Sequence, residues 1–347
     1  MSTARRGISI EAMCDRMTCG TRQSHGYGAR RRGESLKAWQ GRLRTKLLDL
    51  LAVDGKPRKP PAVRFVEKTR CGGYVRRRGY MLAADELAVP FYLLEPGSAG
   101  KSKMPVCIAA HGHGPGKVVP AGIKANERAR ELIEGGARDY GVQAASEGYL
   151  TIVPDFRGFG ELMFADEVQA GKTNSCQQLA MRSIQAGRPL IGQKVSDVMQ
   201  LIDWALARKD TDRRRVVMTG NSHGGTMTLF CAAVDSRIAA SAPSCYFSSF
   251  AGSILAMPHC ACNYVPGLLQ AAEMSDIAGL AAPRPMLIIA GTQDPIFPID
   301  AVRQGFADLS RIYAAAGAAD KLELFEGDGP HRYYATRVWD FFREKLA

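Results

Sequence analysis

The stretch Arg215-Val216-Val217-Met218-Thr219-Gly220-Asn221-Ser222-His223-Gly224-Gly225 decides how the chain is read. Val216 to Thr219 are β-branched or apolar, the pattern of a short buried strand. Thr226 to Ala233 follow as a helix packed by small residues. A serine between the two, inside G-x-S-x-G, reads as a nucleophile elbow. Glycines on either side admit neighbouring backbone, and the tight turn lifts the hydroxyl clear of the sheet. The five-residue motif arises by chance in many chains, so the flanking strand and helix carry the reading.

A serine hydroxyl needs a base, and the base needs an orienting carboxylate. In strand-helix chains of this kind those partners follow the serine as Asp or Glu, then His. Pro285 to Gly291 reads as a buried strand with Thr292-Gln293-Asp294-Pro295 at its carboxyl end. Lys321 to Glu326 reads as the last strand, with Gly327-Asp328-Gly329-Pro330-His331 after it. The expectation is that His331 takes the Ser222 proton and Asp294 holds its tautomer. An Asp before Pro is often only a turn former, so Asp300 and Asp328 stay open as the carboxylate. Of the other histidines, His25 falls in the N-terminal arm, His111 and His113 precede the elbow, His223 lies within it, and His259 sits in a long insertion.

An oxyanion needs two backbone N–H groups. The residue after the nucleophile, His223, supplies one. The second is expected from the loop after Pro105 to Ala110, which reads His111-Gly112-His113-Gly114-Pro115-Gly116, with His113 as donor. As a metal chelate His111-x-His113 lacks a following ligand pattern. Asp155-Phe156-Arg157-Gly158-Phe159-Gly160-Glu161 ends another strand, and Asp155 and Arg157 are expected to tie loops together near the site.

Outward from these motifs the chain alternates. Strands are expected at 105–110, 149–154, 215–219, 238–243, 285–291 and 321–326, and helices near 138–147, 190–208, 223–234, 298–316 and 333–346. That rhythm calls for a mostly parallel sheet covered on both faces, with functional groups at the carboxyl ends of its strands. Before it, runs near 62–70, 74–81 and 88–95 read as an antiparallel meander at one sheet edge. Residues 1–33 read as an irregular basic arm. Ser35 to Leu51 reads as an amphipathic helix, ended by Lys56-Pro57-Arg58-Lys59-Pro60-Pro61. Residues 1–55 thus form an arm and helix, and 56–347 a catalytic domain with lid-like insertions near 158–188 and 245–282. Residues 112–136 are likewise unassigned.

The 347 residues, 46% apolar and 23% charged, suit a globular enzyme, and no apolar run spans a bilayer. Met1 to Gly20 has no apolar core of the kind a secretory leader needs. The net charge of +12 divides unevenly: residues 1–80 hold 20 Lys/Arg and 6 Asp/Glu, a balance of +14, leaving −2 for the rest. Without zinc-finger spacing or an RNA-binding motif the basic clusters read as a solvated face, so neither a nucleic acid nor a membrane is expected as partner. The leucines of the 35–51 helix are expected to dock on the core or on a second subunit, which leaves a homo-oligomer open. Nine cysteines without a repeated spacing fit a reduced, cytoplasmic setting. Cys260-Ala261-Cys262 beside His259 lacks the second half of a zinc site, so no metal is expected there.

The H-G-x-G at 111–114, D-x-R-G-x-G at 155–160, G-x-S-x-G-G at 220–225, Ala282-Pro283-Arg284-Pro285-Met286-Leu287 leading to Asp294, and the late His331 together resemble the α/β-hydrolase superfamily, in its acetyl xylan esterase and dienelactone hydrolase-like branch. The resemblance covers residues from about 62 to 347 and implies a serine hydrolase of carboxylic esters, acting on a small-molecule ester without metal or organic cofactor. A lactonase or dienelactone hydrolase is the alternative, although that branch's best-known member has cysteine at the elbow. A peptidase of the prolyl oligopeptidase type would need a propeller, for which the chain has no room. A non-catalytic binding member would need a broken triad.

Overall fold

Nine strands form one sheet in the computed structural model, which describes residues 9–56, 59–97 and 103–346. The strands are β1 (Val63–Cys71), β2 (Tyr74–Leu82), β3 (Ala88–Pro96), β4 (Met104–Ala110), β5 (Leu150–Pro154), β6 (Thr211–Asn221), β7 (Ala240–Ser244), β8 (Met286–Gly291) and β9 (Leu322–Gly327). They lie in the order β1-β2-β3-β5-β4-β6-β7-β8-β9. Pairing is antiparallel from β1 through β3 to β5 and parallel thereafter. The edge meander and the alternating parallel half are both present as the residue pattern required.

The central strands are buried on both faces, which is why they read as continuous apolar runs. One face packs Val106, Ile108, Val216, Met218 and Ile288 against the helices Leu190–Ala207, His223–Val234 and Ile299–Ala315. The other packs Cys107, Val217, Leu287 and Ile289 against Tyr140–Ser146 and Val338–Leu346. The unassigned segments contain short helices at Glu127–Glu134, Ala165–Gln169, Cys176–Gln185, Leu268–Ala271 and Met274–Gly279. Their brevity explains why no helical period stood out.

The helix Leu36–Leu51 docks on the core of its own chain. Trp39, Leu43, Leu47 and Leu51 are buried in the same cluster as the sheet. Its polar residues reach inward too: Gln40 donates to the carbonyls of Gly279 and Ala282, and Arg44 to those of Ala233 and Leu280. The arm needs a correction. Ile10–Cys19 is helical, capped by Ser9, whose side chain accepts from the Ala12 N–H. Ile10, Met13 and Met17 recur at helical spacing, but all three are exposed and the helix buries no residue. Residues 1–8 of the arm and Pro57-Arg58 of the proline break lie outside the described residues.

Candidate active site

The elbow forms at the carboxyl end of β6. Ser222 has φ +59° and ψ −118°, a backbone strain that non-glycine residues bear mainly at functional turns. Gly220 and Gly224 are required by the end of β4: a Cβ on either would lie 2.3 or 1.9 Å from the Ala110 carbonyl oxygen. The Ser222 amide donates to the Ser244 carbonyl at 2.9 Å, pinning the turn to β7. Ser222 opens onto a cavity of about 440 Å³ whose wall also includes His113, Arg138, His223, Tyr246 and His331.

Two strands along, the structure brings Asp294 and His331 together. His331 Nδ1 lies 2.7 Å from Asp294 Oδ2. The other carboxylate oxygen accepts from the Ile296 and Phe297 amides at 2.9 and 3.2 Å, so the buried group is fixed from both sides. The His331 ring stacks on Phe297, and its carbonyl accepts from Arg138 Nη2 at 2.9 Å. Neither rival carboxylate faces His331: Asp300 projects into solvent beside Arg303, and Asp328 accepts from Gln293.

Behind the elbow lies a chain of neutral imidazoles. His111 Nε2 accepts from the Phe156 amide at 3.0 Å, so its Nδ1–H donates to the Gly112 carbonyl at 2.8 Å. Burial holds its pKa down at about 3. His223 is likewise pushed well below its ordinary value by burial and then by Lys194. Its Nε2 accepts from Lys194 Nζ at 2.9 Å, and Nδ1 faces the His111 carbonyl at 3.2 Å. Among the described residues the amides of His113 and His223 have no hydrogen-bond partner. Both ring nitrogens of His111 are thus taken by backbone groups, which leaves neither free to chelate with His113.

Asp155 and Arg157 brace the floor separately. Asp155 is buried and takes Lys117 Nζ at 2.6 Å plus the amides of Lys117 and Glu161. It thereby joins the loops after β4 and β5. Arg157 makes paired bonds to Asp85 and to Asp197, tying the β5 loop to the β2–β3 turn and to the helix Leu190–Ala207.

Two features were not read from the sequence: the role of Arg138, and the partners of the Cys260-Ala261-Cys262 run. Arg138, half-buried at the cavity wall, stands at the start of the helix expected near 138–147, where nothing marked it as a site residue. The C-x-C at 260–262 meets Cys176 and His113: Cys262 Sγ lies 3.3 Å from Cys260 Sγ and 3.5 Å from His113 Nε2. Ligand atoms of all four residues lie within 4.8 Å of one another. His259, the neighbour in sequence, instead faces Ser253 at 3.4 Å.

Known proteins resemble the chain in family and in fold. Residues 134–264, which contain the elbow, match the acetyl xylan esterase (AXE1) family. YtaP of Bacillus subtilis, assigned as a hydrolase, is 28% identical over 251 residues, 70% of this chain and 77% of that protein. A Bacteroides fragilis structure assigned as an acetyl xylan esterase superposes with a TM-score of 0.76 at 18% identity, covering 92% of this chain and 82% of the other. The glucuronoyl esterase of Solibacter usitatus gives 0.66 at 15% identity, covering 90% and 94%. With its sheet order and its serine elbow, the chain has the α/β-hydrolase fold and is an esterase-type hydrolase similar to the acetyl xylan esterases.

Proposed function

We propose that the chain hydrolyses short-chain carboxylic esters, acetyl esters first, through Ser222, His331 and Asp294. The observation that carries the reading is the 2.7 Å contact of His331 Nδ1 with a doubly anchored Asp294, facing one cavity with a serine on a strained elbow. His331 Nε2 accepts the Ser222 proton as Oγ bonds to the ester carbonyl carbon. The carbonyl π electrons move to oxygen, and the anion is met by the free amides of His223 and His113. The tetrahedral intermediate collapses: the C–O bond to the alcohol breaks, and the imidazolium returns its proton to the departing oxygen. Water then repeats the sequence on the acyl-enzyme, losing its proton to His331 and releasing the carboxylic acid and free Ser222.

The cavity has walls of mixed character. Tyr246, Met257, Ile296 and Phe297 give it apolar walls, while Arg138 and the histidines keep one side polar. No helix among the described residues is long and apolar enough to cross a membrane. The cysteines are all unpaired, which supports a reducing, cytoplasmic setting. A fluorophosphonate probe followed by peptide mass spectrometry tests the assignment. The adduct is expected on Ser222 and absent from Ser222→Ala. An adduct elsewhere on active protein would overturn the reading.

A further inference from the structure

We propose that His113, Cys176, Cys260 and Cys262 bind one zinc ion, which staples both insertions to the loop carrying the His113 amide. In a tetrahedral site with Zn–S near 2.3 Å and Zn–N near 2.0 Å, ligand atoms stand roughly 3.5 to 3.8 Å apart. The observed separations are 3.3 Å for Cys260 to Cys262 and 3.5 Å for Cys262 to His113 Nε2, with all four ligand atoms inside 4.8 Å. A disulfide would need sulfurs at about 2.05 Å, so these thiols are gathered without being bonded.

The donor set selects the ion. Three thiolates and one imidazole in a compact tetrahedron suit zinc, and four protein ligands close the site as structural zinc centres are closed. Buried thiols acting only as small apolar groups have no reason to converge on an imidazole nitrogen.

Charge balance points the same way. Lys194 is fully buried, and among the described residues no carboxylate pairs with it; it bonds His223 and lies over the Phe159 ring. A doubly charged cation with three thiolates and a neutral imidazole carries a net −1, which compensates that ammonium. On zinc binding the three thiols release their protons to solvent, and no electron is transferred.

The placement gives the centre its role. Cys176 opens the helix Cys176–Gln185 in the first insertion, Cys260 and Cys262 belong to the second, and His113 follows β4. His113 and Cys260 also line the cavity, so the ion would sit behind the wall, outside the reacting atoms.

The test uses the full chain, stripped with chelator under a thiol-free reductant and reloaded with Zn²⁺ or Co²⁺. One metal per chain is expected by elemental analysis. The cobalt form should show thiolate-to-metal charge transfer and the intense visible bands of tetrahedral coordination, both lost in Cys260→Ser/Cys262→Ser. Should that variant fail to fold, alkylation of the wild type decides. Zinc should shield Cys176, Cys260 and Cys262, while Cys14 and Cys19 react with or without it. Failure to retain stoichiometric zinc after gel filtration, or equal alkylation in both states, would overturn the proposal. Fluorophosphonate labelling of Ser222 is read separately, so loss of the metal site and loss of the esterase reading are distinguishable.

Discussion

Asp294 shows what a single side chain does when both oxygens are committed. One is held by two backbone amides, so the other has one direction left, toward His331. Asp294→Asn keeps the shape but offers an amide where the imidazole N–H needs an acceptor. We expect kcat for p-nitrophenyl acetate to fall about 10⁴-fold, with Asp328→Asn near wild type. The order Ser, Asp, His singled out this trio in the sequence because each residue follows the end of a strand. Sequence left three carboxylates open, since only the folded loops show which of them faces His331. His111 carries a second consequence. Its folded pKa of about 3 lies below the 6.5 of an unperturbed imidazole. Between those values the unfolded chain binds the extra proton, so stability is complete above about 6.5 and declines as pH falls toward 3. His223 contributes with the same sign. The melting temperature should drop between pH 7 and pH 5, and His111→Gln should show a shallower acid slope. An unchanged slope would remove His111 as a source.

At the scale of elements, the helix Leu36–Leu51 is the most informative. Its leucines predicted docking, and the structure supplies the partner: Trp39 is buried, its indole N–H donates to the His25 carbonyl, and Tyr27 stands edge-on against it. Trp39→Ala should cost about 3–5 kcal/mol, read from urea midpoints, because the gap cannot close against a sheet-backed core. A loss below 1 kcal/mol would mean the helix detaches freely. The strands were legible to within a few residues because burial on both faces leaves long apolar runs. The insertions were not. Their helices are short, and what positions them is a set of contacts between residues far apart in sequence, such as the Tyr27 amide donating to Asp276 and Gln40 donating to the Gly279 carbonyl.

Over the whole molecule, the uneven charge acquires a place. β1 is the outermost strand on the meander side, and among the described residues nothing pairs with its free edge. An unpaired edge is a template on which a second chain can add a strand. Two devices oppose that here: a bulge between Phe65 and Glu67 breaks the register, and Arg64, Lys68 and Arg70 line the strand. Two copies approaching rim to rim would set like charges against each other just where the backbone invites pairing. Arg64, Lys68 and Arg70 thus oppose fibre-like self-association along this edge.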